Sequence, residues 1–375
     1  MFERLRADQD RENAYGSYWR LMAKCQVYEK YPLPLKTRKH GLLSTLQAVT
    51  PGLDCRHPHT GQCSNCSTPI RRKRYCRTEF LRLFLHGCRT FLTIIGTTNM
   101  NLIIQGLEIQ NSDLRELAKL VDANHIERIT GQAFRLENAA RREEVAAYCA
   151  EADLDFAFVD PSARLSDFGL VAMDMDSTLL AIESIDEIAD MQGVKAQVAE
   201  ITQRAMRGEI VFAESLRLRT ALLEGLDEDA LQRVYDERVR LSPGAEKMLQ
   251  RMKSAGLKTM VISGGFTFFT DRVKARLDLD YAAANRFEVS NGKLTGKVLG
   301  DIIGATGKGE VLKKVREELG LKREQVIAIG DGANDLKMME EAGVSIAYHA
   351  KPVVQAKATY ALNHVGLDGV VNLFR

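Results

Sequence analysis
A chain of 375 residues, 45% hydrophobic and 27% charged, has the length for two or three domains and the composition of a globular protein rather than a disordered or membrane-spanning one. The net charge of +2 hides a split: residues 1–99 carry 17 Lys and Arg against 7 Asp and Glu, leaving 35 against 43 for the remainder. A mildly acidic body argues against nucleic acid as its substrate, and its single cysteine (Cys149) excludes a disulfide framework there and suits a reducing cytoplasm.

Residues 1–99 hold five of the eight prolines, the basic cluster Arg71–Arg74 and no sustained helical or alternating period. They read as a basic, disordered extension or as sequence that is not natively translated, with Met100 as the true start. Cys63-x-x-Cys66, with Cys55, His57, His59 and Cys76 nearby, admits a zinc site, although no second close pair follows. A nucleic-acid contact by this basic segment is equally open. The apolar stretch from Phe80 to Ile95 is broken by Arg82, His86 and Arg89, so it is no membrane span.

From Met100 the texture becomes regular. Asn101–Gln105 reads as a strand, Asn111-Ser112-Asp113 as a helix cap, and Leu114, Leu117, Leu120 and Val121 as one helical face. A strand-like segment from Ile126 to Leu136, a helix from Arg141 to Ala152 and a strand from Asp155 to Val159 follow. The order predicts a βαββαβ or βαβαβ unit over residues 100–165, structural or regulatory because it holds no cluster of catalytic residue types. Pro161-Ser162 reads as a linker.

The body is organised around Leu170-Val171-Ala172-Met173-Asp174-Met175-Asp176-Ser177-Thr178, a buried-strand pattern ending on two carboxylates and two hydroxyls. In extended backbone, residues i and i+2 face the same way with Cα atoms about 6.5 Å apart. Residues 182–241 are helical in pattern, an insert placed to cover those acids. Ser242-Pro243-Gly244 predicts Ser242 as the N-cap of the next helix. Strands then alternate with helices: Lys258–Ile262 ending in Ser263-Gly264-Gly265, a hairpin at Asn291-Gly292, and Gln325–Ile329 ending in Gly330-Asp331-Gly332-Ala333-Asn334-Asp335. Two last short strands surround Val344–Ala347 and Tyr360–Leu362. This alternation predicts an α/β fold with a parallel, helix-flanked sheet.

Four strand and helix ends converge on one edge of that sheet. Glycines after Ser263 free backbone N–H groups for an anion. Lys308 opens a helix, where its charge opposes the helix dipole, so its ammonium is wanted elsewhere, as on a phosphate. Asp331 suits a hard cation. Together they describe phosphoryl transfer to one acid of the Asp174/Asp176 pair, with Mg²⁺ offsetting the charge.

These motifs resemble those of the haloacid dehalogenase superfamily over about residues 166–375, and the Asp-x-Asp-Ser-Thr form resembles the branch that acts on phosphoserine. The resemblance implies a Rossmann-like parallel sheet flanked by helices, with a helical cap inserted after its first strand at about 182–241. It implies Asp174 as nucleophile, Asp176 as general acid/base, and Mg²⁺ on Asp174, Asp331 and the Asp176 carbonyl, with Asp335 beside them. Ser263, Gly264 and Lys308 would hold phosphate, with Asn334 nearby. Glu183 would meet an amino group and Arg219 a carboxylate, while Met206 and Phe212 would supply apolar contacts. The implied reaction is hydrolysis of O-phospho-L-serine to L-serine and phosphate, the last step of serine biosynthesis, by a cytoplasmic enzyme for which a homodimer is open. Residues 100–165 resemble, weakly, the amino-acid-binding ACT type. The alternatives left open are another small phosphate ester, transfer to a second hydroxyl, or an amino-acid sensor with a vestigial catalytic part.

Overall fold
The computed structural model describes residues 100–375. The expectations placed on residues 1–99, zinc and nucleic-acid contact included, lie outside the described residues.

The first unit contains β1 (Met100–Gln105), α1 (Asn111–Leu120), β2 (His125–Thr130), β3 (Ala133–Ala139), α2 (Glu144–Glu151) and β4 (Asp155–Val159). Its sheet has the order β2-β3-β1-β4 with every neighbouring pair antiparallel, a split βαβ arrangement. Of the two orders open to the sequence, βαββαβ is therefore the one formed. The stretch from Ile126 to Leu136 is a hairpin rather than one strand, turning at Gly131-Gln132, where Thr130 Oγ1 accepts the Gln132 N–H at 3.1 Å. The α1 cap lies one residue earlier than expected, at Gln110, whose N–H donates to the Asp113 carboxylate at 3.0 Å.

The residues of β1 are apolar without alternation because both its faces are covered. Leu102 and Ile104 pack with Leu114, Leu117 and Val145 of the two helices, while Ile103 joins the larger core with Ala157 and Val159. The polar ends of these strands anchor the unit to the last turns of the chain. Gln105 donates to the Gly369 carbonyl at 3.0 Å and accepts from Asn372 at 2.7 Å. Buried Asp155 accepts the N–H groups of Asn363, His364 and Val365 at 2.6, 2.9 and 3.1 Å.

The second unit runs β5 (Leu170–Met173), α3 (Ser184–Met191), α4 (Lys195–Met206), α5 (Phe212–Ala221), α6 (Glu228–Arg238), α7 (Ala245–Ser254), β6 (Lys258–Phe266), α8 (Thr267–Leu277), β7 (Tyr281–Ser290), β8 (Lys293–Leu299), α9 (Ala305–Glu318), β9 (Val326–Gly330), α10 (Leu336–Glu340), β10 (Val344–Tyr348), α11 (Pro352–Gln355) and β11 (Tyr360–Leu362). The sheet order is β11-β10-β9-β5-β6-β7-β8, parallel except for the β7–β8 hairpin. In β5, Val171 and Met173 face one core and Leu170 and Ala172 the other. The hairpin turns at Asn291 and Gly292, both with positive φ (51° and 73°), as the dipeptide predicts.

Two details depart from the sequence reading. Gly244 (φ 76°), not Ser242, precedes the first residue of α7, because its left-handed backbone cannot continue a right-handed helix; a Cβ there would lie 2.7 Å from the Asp368 backbone nitrogen, which requires glycine. The β7–β8 hairpin also joins the helical insert, through Gly225 N–H to Leu294 O and Leu294 N–H to Leu226 O, both 2.9 Å.

Replacing Asp155 by Ala leaves three N–H groups, one buried and two half-buried, without their acceptor. The expected cost is about 2–4 kcal/mol in urea unfolding of the full chain, and an unchanged midpoint would show that this anchor carries no stability.

Candidate active site
Strand β5 stands where the sheet order reverses: β6 follows on one side, and the chain returns on the other as β9. The crevice at the C-terminal ends of two such strands is the place where open α/β sheets bind ligands. Asp174 follows β5 and Asp331 follows β9, so parallel pairing alone brings these carboxylates together.

The backbone leaves the sheet after Met173. Asp174 (φ −65°, ψ 158°) and Asp176 (φ −69°, ψ 137°) remain extended around buried Met175, so both line one cavity of about 490 Å³. Ser177 then adopts φ 55°, a left-handed conformation uncommon for a non-glycine residue and often found at functional sites. Its hydroxyl donates to Glu183 Oε1 at 2.6 Å, and the next hydroxyl, Thr178 Oγ1, donates to Asp331 Oδ1 at 3.1 Å. Each hydroxyl after the acid pair thus orients one further carboxylate.

Beneath the cavity lies Lys308, 1% exposed, with Nζ 2.7 Å from both Asp174 Oδ2 and Asp335 Oδ1. Burial opposes its charge, but the two carboxylates outweigh burial and raise its proton affinity, so the ammonium persists. Asp335 also accepts the Gly332 N–H at 3.0 Å. Burial and the Asp335 charge push the Asp174 carboxyl well above its usual range, against the pull of Lys308. For the same two reasons Asp331 is pushed up to about 6.

Oxygens of Asp174, Asp331 and Asp335 lie within 4.8 Å of one another. Three clustered carboxylates exceed what one ammonium neutralises, and an all-oxygen donor set suits a hard cation. The residues therefore fit a metal ion. The Asp176 side chain turns away from this cluster. It accepts from Ser184 N and Oγ at 2.9 and 3.2 Å and from Ser263 Oγ at 3.4 Å. Burial and the nearby Glu183 push Asp176 up to about 7, which suits a group that must both give and take a proton.

The end of β6 supplies Ser263, Gly264 and Gly265 to the wall, with the Gly265 N–H held by Ser263 Oγ at 2.8 Å. The insert supplies the opposite wall. Glu183, Phe212 and Arg219 line it, and Met206 stands at the rim, 66% exposed. Arg219 is half-buried, and the partial loss of solvent lowers the pKa of its guanidinium against the fields of Asp186, Glu183 and Asp176. Asn334 lines the floor. The site residues singled out within 166–375 thus meet at or directly beneath one cavity.

Sequence reading missed Ser184, Asp186, Thr202 and Lys351 among the lining residues. Ser184 follows Glu183 at the start of a helix, a signal that could have been used. Lys351 carries no local signal; β10 delivers it by pairing with β9, and its N–H points to the Asp331 carbonyl at 3.4 Å.

The chain matches the haloacid dehalogenase-like hydrolases over residues 168–343 and a domain of unknown function, DUF4072, over residues 102–145. It is 51% identical over 220 residues to a phosphoserine phosphatase of Polaromonas sp., covering 57% of this chain and 93% of that one. Against the phosphoserine phosphatase of Haemophilus influenzae the identity is 47% over 223 residues, 60% of this chain and 71% of the other. Among solved structures, a probable phosphoserine phosphatase from Vibrio cholerae in unliganded form superposes with a TM-score of 0.66 at 36% identity, over 74% of this chain and 87% of that chain. The parallel sheet, the acids at its switch point and these likenesses agree: the chain belongs to the haloacid dehalogenase-like hydrolase family.

Proposed function
We propose that this chain is a phosphatase that hydrolyses O-phospho-L-serine to L-serine and phosphate, with Mg²⁺ as its metal. One observation carries the reading. A single cavity has a phosphoryl-handling floor (Asp174, Asp331, with Lys308 beneath) and a wall bearing Glu183 and Arg219, the charges that complement an ammonium and a carboxylate. The phosphoserine phosphatases among its relatives support the substrate. The near absence of cysteine from residues 100–375 supports a reducing, cytoplasmic setting. We also read residues 100–165 as an ACT-like unit, on its βαββαβ order, and 182–241 as a cap over residues 166–375.

In this reading Asp174 attacks phosphorus and the bond to the serine oxygen breaks. Asp176, whose surroundings favour its protonated form, gives its proton to that oxygen. Water then attacks the aspartyl phosphate, Asp176 takes the proton from it, and phosphate departs with Asp174 restored. Lys308, Ser263 and the Gly264 N–H hold the phosphoryl oxygens throughout. Bound at Asp174, Asp331 and Asp335, a divalent ion supplies the charge neutralisation that lets a carboxylate approach an anionic phosphate. Glu183, aligned by Ser177, meets the ammonium, and Arg219 meets the carboxylate as a forked donor.

Asp174→Asn should lower phosphate release from phosphoserine by at least about a thousandfold with an unchanged circular dichroism spectrum. Retained turnover would remove Asp174 as nucleophile. Chelation of divalent ions should abolish activity in the native chain and added Mg²⁺ should restore it; activity indifferent to chelator would exclude the metal. Arg219→Ala should raise KM for phosphoserine about thirtyfold, the loss of one charge-assisted pair worth about 2 kcal/mol, and leave KM for an aryl phosphate nearly unchanged. Equal effects on both substrates would keep the phosphatase and discard phosphoserine.

A further inference from the structure
We infer that Asn285 is a positioning residue for phosphoryl transfer: it ties the glycine loop after β6 to the start of the helix that carries Lys308. The inference rests on the phosphatase reading above and adds to it a residue that never touches the substrate.

Asn285 is 1% exposed, sits on β7 opposite Phe266 of β6, and is not among the residues lining the cavity. Its side-chain amide makes three bonds, all to backbone. Oδ1 accepts the Ile303 N–H at 2.7 Å, while Nδ2 donates to the Gly264 carbonyl at 2.9 Å and to the Ile303 carbonyl at 3.3 Å. One N–H on one side and two carbonyls on the other fix which way the amide faces. Gly264 belongs to the loop that offers its N–H groups to phosphate. Ile303 precedes Gly304, whose carbonyl accepts the Lys308 N–H at 2.9 Å. A single side chain therefore sets the separation between two anion-binding segments that share no strand pairing.

The arrangement is closed from the cavity side by Phe212. A Cβ on Gly264 would lie 2.9 Å from its ring and one on Gly304 3.0 Å, so both segments run beneath the same ring without room for a side chain. Glycine loops have little of their own to hold them, and donors aimed at developing charge act only as well as they are held. Asn suits the position because it is donor and acceptor at once. Asp would turn a carboxylate on two carbonyls, and an apolar residue would leave three partly buried backbone groups without this partner.

The test uses the full chain saturated with Mg²⁺, comparing wild type with Asn285→Ala and Asn285→Ser. Inorganic phosphate binding is read by calorimetry and as an inhibition constant, and kcat and KM are read for phosphoserine and an aryl phosphate. The expected result is folded variants whose phosphate affinity falls about tenfold or more. Their kcat/KM should fall by one common factor for both substrates, leaving untouched the preference set by Glu183 and Arg219. A residue that serves folding alone would lower kcat through loss of active molecules with phosphate affinity and KM at wild-type values, which would overturn the inference. So would failure of both variants to fold. A wild type that binds phosphate but does not hydrolyse phosphoserine would sink the functional reading, and the calorimetric comparison would still judge Asn285; a wild type that binds no phosphate would overturn both.

Discussion
The structure depends on one buried cation. Lys308 is held between Asp174 and Asp335 with almost no access to water, and the two carboxylates together outweigh the cost of burying its charge. Removing one partner of such a buried pair costs about 3–5 kcal/mol, because the remaining charge is left uncompensated. The pairing dictates that the first turn of α9 lie under the ends of β5 and β9. It also explains why a lysine stands at the end of a helix where the dipole disfavours it. Asp335, which the sequence offers as a metal ligand, is first of all the counterion of Lys308; its second oxygen accepts the Gly332 N–H, so the carboxylate is oriented before any metal is considered.

Much of this site was legible in the sequence, for a physical reason. In a parallel sheet every strand ends at the same edge, so acids and glycines at successive strand ends must meet. Asp174, Ser263 and Asp331 could be assigned by that rule, and Lys308 by its conflict with the helix dipole. The residues the sequence concealed act across the chain rather than along it. Asn285 looks like an ordinary strand residue, yet its three partners are 18 and 21 positions away. Lys351 reaches the cavity only through the order of β9 and β10. Elsewhere the local signal was outvoted. Ser242 and Pro243 have good helix-start chemistry, but the close approach of Asp368 requires glycine at the next position and delays the helix. The hairpin of β2 and β3 was hidden because β2 is largely exposed and mixes apolar with charged residues, which blurs the alternation that would have split it.

The first unit was readable as a set of elements but not as to where it docks. Its anchors are Gln105 and Asp155, single polar residues at strand ends whose partners lie more than 200 positions later. Nothing local distinguishes them from solvated side chains. Their burial instead follows from β1 and β4 being covered on both faces, one by α1 and α2 and the other by the core of the larger unit.

The place of the helical insert follows from the turn after β5. Within five residues, Asp174 pairs with α9, Asp176 accepts from the first residue of α3, Ser177 bonds Glu183 just before that helix, and Thr178 bonds Asp331 after β9. Two of these bonds run to the floor and two to the insert. The insert wall and the carboxylate floor of the cavity are thus joined through one short, partly strained segment. An insert entering after any other strand would lack this connection, because Asp174, Asp176, Ser177 and Thr178 all stand in this one turn. Placing the insert immediately after the acids makes the orientation of Glu183 and that of Asp176 consequences of the same backbone conformation. A substitution that relaxes Ser177 out of φ 55° would therefore disturb selectivity and proton transfer together.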